Sequence, residues 1–542
     1  MSKVDKVTTK KEPSQAEIEM VESEVQEYLY IRQQRSRLFP IAALVGLCAG
    51  IVAILFRGAL SGMDILRNSL IEKAHEQPLW GWIFPVLFSV VGAILSLTLT
   101  RRYAPETKGS GIPHLEAVLQ RLQELNWKRV LPVKFFGGIA AIGSGLALGR
   151  EGPTVQMGGS IGAAISQVLK VSPRERLTLI AAGAGAGLAA AFNAPLSGLV
   201  FVLEEVQRDF HPIVFGTAFL AAAVADVVAR VGADPFPVFL ISKYPTPPLA
   251  ALPAFAILGV IAGLFGIAFN RSLVLSLDFY GRMKNKTLAT AITGAAVGLM
   301  GWFVPTAIGN GHPLAEMTLS GKIVLTAIPL WFIVRFLLTI SSYGTGVPGG
   351  IFAPLLVLGA LIGLGVGEIT QQIIPSAVPV PAVFAVVGMA AYFTAIVRAP
   401  LTGVVLIIEM TGNYEQMLPL LISCFFAYAV TEYLKDMPIY EVLFERDLLQ
   451  HDDAHKFTQP IVMDFTIQEG SPFSGKVVRS LGLPPGCILV RCSNGKREWV
   501  PKANTRLEAN TRITAVIETD ASDGIALLRN GCKSSHKQES RI

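Results

Sequence analysis

Apolar residues in this chain come in continuous runs rather than in alternation, at 41–56, 80–99, 214–231, 249–269, 289–304, 323–338 and 417–429, with shorter apolar pieces between them. Runs approaching the ~20 residues that cross a bilayer predict membrane-spanning helices. Intervening pieces such as 154–169 and 195–206 are too short to span and are bounded by glycine and proline, the pattern of broken or re-entrant helices. The two-residue alternation of an outer-membrane barrel is absent. The expected fold is an all-α polytopic membrane protein. Composition agrees: of 542 residues, 51% are hydrophobic and 16% charged.

The ends of the chain read differently. Residues 1–37 are polar, carry acids throughout and lead into the first apolar run without a short apolar core and cleavage site, so they are no cleavable signal. An amphipathic helix is expected over 16–34. Arg32, Arg35 and Arg37 crowd the start of the first span and place this N-terminal segment in the cytoplasm. After Tyr433 polarity rises and no further run is long enough to span. The domains expected are therefore a membrane domain over 38–449, a cytoplasmic domain over 450–530 and a disordered tail over 531–542. Strands at 461–466, 488–492 and 513–517, with turns at Pro484-Pro485-Gly486 and Asn494-Gly495, make the cytoplasmic part a small α/β module.

Candidate chemistry narrows the field. Five scattered cysteines, Cys48, Cys424, Cys487, Cys492 and Cys532, have neither disulfide arithmetic nor metal spacing and read as free thiols. Seven histidines form no metal-ligand cluster, and the formal charge of +6 is spread along the chain, so neither a metal, a cofactor nor nucleic acid is expected. Gly149-Arg150-Glu151-Gly152-Pro153 is the conspicuous exception. It sets a carboxylate and a guanidinium in a glycine-rich break between apolar segments, and a charge at membrane depth costs about 2.5 to 3.5 kcal/mol even on the lenient scale. Such a carboxylate is either stabilised there or carries protons.

The membrane part contains an internal repeat. Gly149, Pro153, Gly158, Ile161 and Gly162 recur as Gly350, Pro354, Gly359, Ile362 and Gly363 at a constant offset of 201. Ala194-Pro195-Leu196-Ser197-Gly198 through Glu204 recurs as Ala399-Pro400-Leu401-Thr402-Gly403 through Glu409 at an offset of 205. Transporters built from two such halves commonly relate them by inverted topology, with substrate held near the midplane where broken helices meet. The two Gly-x-x-x-Pro breaks then read as facing helix starts, whose unpaired amides and partial positive charge make an anion site. A third break, Gly109-Ser110-Gly111-Ile112-Pro113, adds a neutral hydroxyl donor. The repeat also exposes an asymmetry: Glu151 stands opposite Phe352, and Glu205 opposite Met410, so protonatable groups occur in one half only. Glu204 pairs with Glu409 and reads as a shared helix-end or water-facing residue.

Those three breaks, in this order and followed by Tyr440, resemble the CLC family of chloride channels and chloride/proton antiporters over about residues 38–449. The resemblance implies a homodimer in the lipid bilayer, each subunit holding its own anion pathway in two inverted-topology repeats of tilted and broken helices. It implies chloride held by the hydroxyls of Ser110 and Tyr440 and the amides of Ile351 and Phe352. Glu151 resembles the gating glutamate and Glu205 the internal proton glutamate. Gly109, Gly111, Gly149, Arg150, Lys134 and Glu204 are supporting residues, Arg150 and Lys134 by raising local positive potential. Ser110 at its position implies chloride selectivity. His114 departs from the acidic residue common there, and Glu116 neighbours the proton glutamate or a solvated face.

Gly470-Ser-Pro-Phe-Ser-Gly-Lys476, Leu481-Gly-Leu-Pro484 and Val500 to Glu508 resemble the TrkA C-terminal domain, which implies dimerisation and a small-molecule or ion ligand. The expected function is secondary exchange of chloride for protons in a prokaryotic plasma (inner) membrane, with both termini cytoplasmic; the alternative is a passive chloride channel. No enzyme activity is expected, since an intramembrane hydrolase using Ser110 or Ser144 leaves the paired breaks unexplained. A potassium-conducting subunit is disfavoured because no Thr-Val-Gly-Tyr-Gly filter occurs.

Overall fold

The computed structural model describes residues 15–77, 79–232, 238–239, 244–375, 380–450, 461–494, 498–518 and 523–532. Helices α1 (Gln15–His75), α2 (Ile83–Tyr103), α3 (Ile112–Leu119), α4 (Trp127–Gly143), α5 (Glu151–Val168), α6 (Pro173–Phe192), α7 (Pro195–Phe201) and α8 (Pro212–Gly232) form one series. It recurs as α9 (Leu252–Arg282), α10 (Lys286–Phe303), α11 (His312–Leu319), α12 (Ile328–Gly344), α13 (Phe352–Ile373), α14 (Ala382–Val397), α15 (Pro400–Thr411) and α16 (Met417–Tyr433). Each series opens on a long helix and sets an eight-residue helix in third place. Helix α17 (Ile439–Gln450) follows both and carries Tyr440.

Among the described residues, six helices are long and apolar enough to cross a membrane. Five of them match expected runs. The sixth, α13, was expected only as a helix start, because glycines at 359, 363, 365 and 367 dilute its apolar run; it is 22 residues long and largely enclosed. The runs at 289–304 and 417–429 fold as α10 and α16, of 18 and 17 residues. The helix expected over 16–34 is the start of α1, which continues unbroken through Pro40.

The repeat is visible in how helices stop. Helix α6 ends at Asn193, φ 51°, and α14 ends at Arg398, φ 70°, both left-handed. Two residues later Pro195 and Pro400 occupy the first turn of the next helix, where a missing N–H costs nothing. Helix α6 begins with a capping box in which Ser172 and Glu175 bond each other's backbone.

Two of the repeated identities mark where helices cross closely. A Cβ added at Gly158 of α5 would lie 2.1 Å from the carbonyl oxygen of Gly183 in α6, and one at Gly359 of α13 would lie 2.5 Å from that of Gly388 in α14. Gly162 and Gly363 press on the backbones of Leu179 and Phe384 in the same way. Small residues thus let backbones meet where lipid offers no hydrophobic drive for association. Substituting valine at Gly158 is expected to force α5 off α6 and lower stability by about 3 kcal/mol or more, read as a fall in the thermal unfolding midpoint in detergent.

The chain divides into two compact units: residues up to Glu116 with Leu125–Val442, and Ala117–Glu124 with Leu443–Ile542. The second unit holds an antiparallel sheet of order β1-β4-β2-β3, from β1 (Ile461–Thr466), β2 (Cys487–Ser493), β3 (Glu498–Trp499) and β4 (Arg512–Ile517). A final helix, α18 (Asp523–Cys532), completes it. Its core includes Ile467, Phe473, Leu489, Ile513, Ile517 and Leu528, and Leu122 from the segment after α3 packs against this core. The helix runs through Cys532, two residues past the expected start of the tail; the rest of that tail, Gly495 of the expected turn and the segment before residue 15 lie outside the described residues. All five cysteines are free thiols. Burial pushes the Cys532 thiol up to about 12, which keeps it protonated and unreactive.

Candidate functional site

The three glycine breaks meet. Gly149 and Gly350 exchange both backbone hydrogen bonds, each at 2.7 Å, so the starts of α5 and α13 are tied directly. Gly109 donates to Val347 O at 3.2 Å, and its own carbonyl accepts from Gly349 N at 2.9 Å. The first intrahelical bond within α13 is Leu355 N to Ile351 O, so the amides of Ile351, Phe352 and Ala353 lie before the helical ladder begins. A Cβ at Gly152 would lie 2.8 Å from the Cβ of Ser110, which brings the third break against the first turn of α5.

Ser110 is fully buried, and its hydroxyl oxygen accepts the Ile112 N–H at 3.3 Å. Gly109 and Gly111, at φ 61° and 81°, hold the left-handed turns that bring this loop in. Beneath it Lys134, with no exposed surface, donates to Thr107 O at 2.8 Å and Gly109 O at 2.7 Å. The lysine head is thereby held against the back of the Ser110 loop. Tyr440, from the first turn of α17, is also fully buried, and its hydroxyl has no hydrogen-bond partner. Its ring lies 6.1 Å from that of Phe352, centroid to centroid. A buried, unpaired hydroxyl is costly unless something occupies the space it faces.

Glu151 is 2% exposed at the head of α5. The backbone N–H groups of Ala353 and of Glu151 itself lie near its carboxylate, and Oε2 has no hydrogen-bond partner. The carboxylate thus sits near helix-start amides, and Gly149 is required beneath it, because a Cβ there would come within 2.2 Å of Oε2. Arg150 turns elsewhere: its Nη2 donates to Ala191 O at 3.2 Å, so its charge acts on Glu151 through space.

Glu204 and Glu205, adjacent in sequence, part company. The chain from Val202 to Val206 forms a π turn, with Gln207 N donating to Val202 O at 2.9 Å, and the two consecutive side chains leave it in different directions. Glu204 reaches the start of α15, accepting from Leu401 N at 3.0 Å, Thr402 N at 2.7 Å and Thr402 Oγ1 at 2.7 Å. Glu409 does the same for α7, accepting from Leu196 N at 3.0 Å, Ser197 N at 2.8 Å and Ser197 Oγ at 2.6 Å. Each half caps the other. Glu205 is 3% exposed, with Oε1 unpaired and Oε2 3.7 Å from Arg208 Nη2. Glu205, Glu116 and Glu151 all lie within electrostatic reach of Tyr440.

Two further residues belong to this site. Tyr343, at the end of α12, accepts the Ser110 N–H with its hydroxyl at 3.4 Å, and the preceding Ser342 accepts Ala147 N–H at 3.1 Å. Residues Ile142-Gly143-Ser144-Gly145 match Tyr343-Gly344-Thr345-Gly346 at the offset of 201, so Tyr343 is a second polar group where the other half is apolar. His114 is buried, with Nδ1 3.1 Å from Gln156 Nε2 of α5.

A comparison with known families matches residues 92–432 to the voltage gated chloride channel family and residues 462–527 to the TrkA-C domain. A protein named H(+)/Cl(-) exchange transporter ClcA from Vibrio parahaemolyticus is 39% identical over 416 residues, 75% of this chain and 89% of that protein. This chain belongs to the voltage gated chloride channel family. A ClcA of the same description from Salmonella paratyphi A is 36% identical over 420 residues, 76% of this chain and 89% of that protein. Among solved structures, a slow cyanobacterial Cl−/H+ antiporter superposes with a TM-score of 0.75 at 36% identity, covering 77% of this chain and 99% of its own. A CLC-type fluoride/proton antiporter, 21% identical, shares the fold with a TM-score of 0.64, covering 75% of this chain and 97% of its own. The chain is a multi-pass member of a transport family, not of an enzyme family, with a TrkA-C domain appended.

Proposed function

We propose that this protein exchanges chloride for protons across the membrane, with Glu151 as the gate and proton carrier and Glu205 as the inner proton station. The observation that carries the reading is the seat of Glu151: a buried carboxylate with an unpaired oxygen, at the point where the starts of α5 and α13 are tied together. Ionised, Glu151 fills the positive seat itself. Protonated, it loses most of its attraction to the helix-start amides and yields the seat to chloride, so one residue competes with the anion and moves the proton. Ser110, Tyr440 and the amides of Ile351 and Phe352 form the anion's remaining contacts.

Glu205 supplies or removes protons from the cytoplasmic side, and Glu204 serves as the cap of α15. The relatives' names support exchange rather than passive conduction. The protein works as a homodimer in a bacterial inner membrane with both termini cytoplasmic, and the TrkA-C domain binds a small regulatory ligand. Sealed vesicles holding the purified protein and an imposed chloride gradient test this reading. Uphill proton movement is expected, and Glu205→Gln is expected to lose at least nine-tenths of it, about a ten-fold drop, while chloride still crosses. Chloride flux without proton movement in the unmodified protein would make it a channel.

A further inference from the structure

Arg208 stands just beyond the π turn, at φ 53°, a left-handed conformation that residues with a Cβ seldom adopt. From there its guanidinium forks. Nη2 lies 3.7 Å from Glu205 Oε2, and Nη1 donates to Glu441 Oε1 at 2.8 Å. Glu441 follows Tyr440 directly in the first turn of α17. Arg208 and Glu441 are 47% and 38% exposed, so the pair by itself adds little stability, whereas Glu205 is buried with its other oxygen unpaired.

We infer that Arg208 is the positioning residue of the inner proton station, sharing its charge between Glu205 and the helix that carries Tyr440. The inference rests on Glu205 being that station. A carboxylate so buried would hold its proton across the working pH range, because burial disfavours charge and the negative groups around it add to the effect. Those groups are Glu204 on its own turn, Glu116 on α3 and Glu441 on α17. Arg208 is the cation that offsets them and lets Glu205 release as well as accept a proton. When Glu205 is ionised the guanidinium is divided between two carboxylates. When Glu205 takes a proton, Arg208 is left to Glu441 alone, and its hold on the first turn of α17 tightens. Proton loading is thereby felt one residue from the Tyr440 hydroxyl.

The arrangement assigns opposite signs to two substitutions. Arg208→Gln removes the cation, so Glu205 keeps its proton to higher pH; the pH midpoint of proton-coupled transport in vesicles is expected to rise by about one unit. Glu441→Gln frees the guanidinium for Glu205, and the midpoint is expected to fall. Arg208→Lys should keep the midpoint near that of the unmodified protein. Midpoints that stay fixed, or move in the same direction in both variants, overturn the inference. So does a lowered unfolding temperature without a shift, which would make the pair a strut. Glu205→Gln in the same vesicles separates the two levels: if it abolishes proton movement while Arg208→Gln shifts nothing, Arg208 alone is misassigned. If Glu205→Gln still pumps, the station and the inference fall together.

Discussion

Glu151→Gln is expected to abolish proton movement while chloride continues to cross. Glutamine has the same shape but cannot ionise, so it cannot carry a proton, and it cannot offer a carboxylate to the amides of Ala353 and residue 151. Hydrogen bonds from backbone amides to an ionised carboxylate are worth roughly 1.5 to 3 kcal/mol each. Removing that competitor should strengthen chloride binding about ten-fold or more, measurable by calorimetry on the detergent-solubilised protein. Chloride flux should also lose its dependence on pH at this gate. A glutamine variant that still moved protons uphill would show that another group carries them.

Lys134→Met is the second large effect. Methionine fits the same volume but deletes both donations to Thr107 O and Gly109 O and leaves two buried carbonyls to find other partners. The expected cost is about 3 to 5 kcal/mol of stability, as for breaking a buried charged interaction. Chloride binding should weaken by at least ten-fold or so, since a fixed positive charge behind Ser110 is lost in a region where charge is poorly screened. Binding that survived in a folded Lys134→Met protein would reduce Lys134 to a brace for the loop. Arginine is not expected to rescue it, because the site has no room and the guanidinium's fork does not match two carbonyls on one turn.

Much of the scaffold could be read from the chain because its determinants are local or repeated. Glycine and proline punctuate the helices where they break, and the offset of 201 superposes the identities that tie and cross them, Gly149 with Gly350 and Gly158 with Gly359. The divergence of Glu204 from Glu205 was legible in the same way, because Glu204 recurs as Glu409 at the offset of 205 while Glu205 stands opposite Met410. The π turn that carries both residues has no marker residue in the sequence. Arg208 was not legible as a bridge because, although Glu205 lies three residues before it, Glu441 is 233 residues away and joins it only through the fold. Tyr343 could have been found by extending the repeat a few positions upstream. The length of α13 was hidden by glycines that dilute hydropathy but serve close packing.

The reciprocal capping of α7 by Glu409 and α15 by Glu204 bears on how the protein is made. The start of α7 leaves the ribosome some two hundred residues before its cap, since Ser197 and Glu409 are 212 positions apart. Until the second half arrives, the exposed amides at Leu196 and Ser197 have no carboxylate to receive them. The first half therefore lacks this cap until the second has been made, and a chain truncated before Glu409 leaves these donors without the carboxylate that receives them.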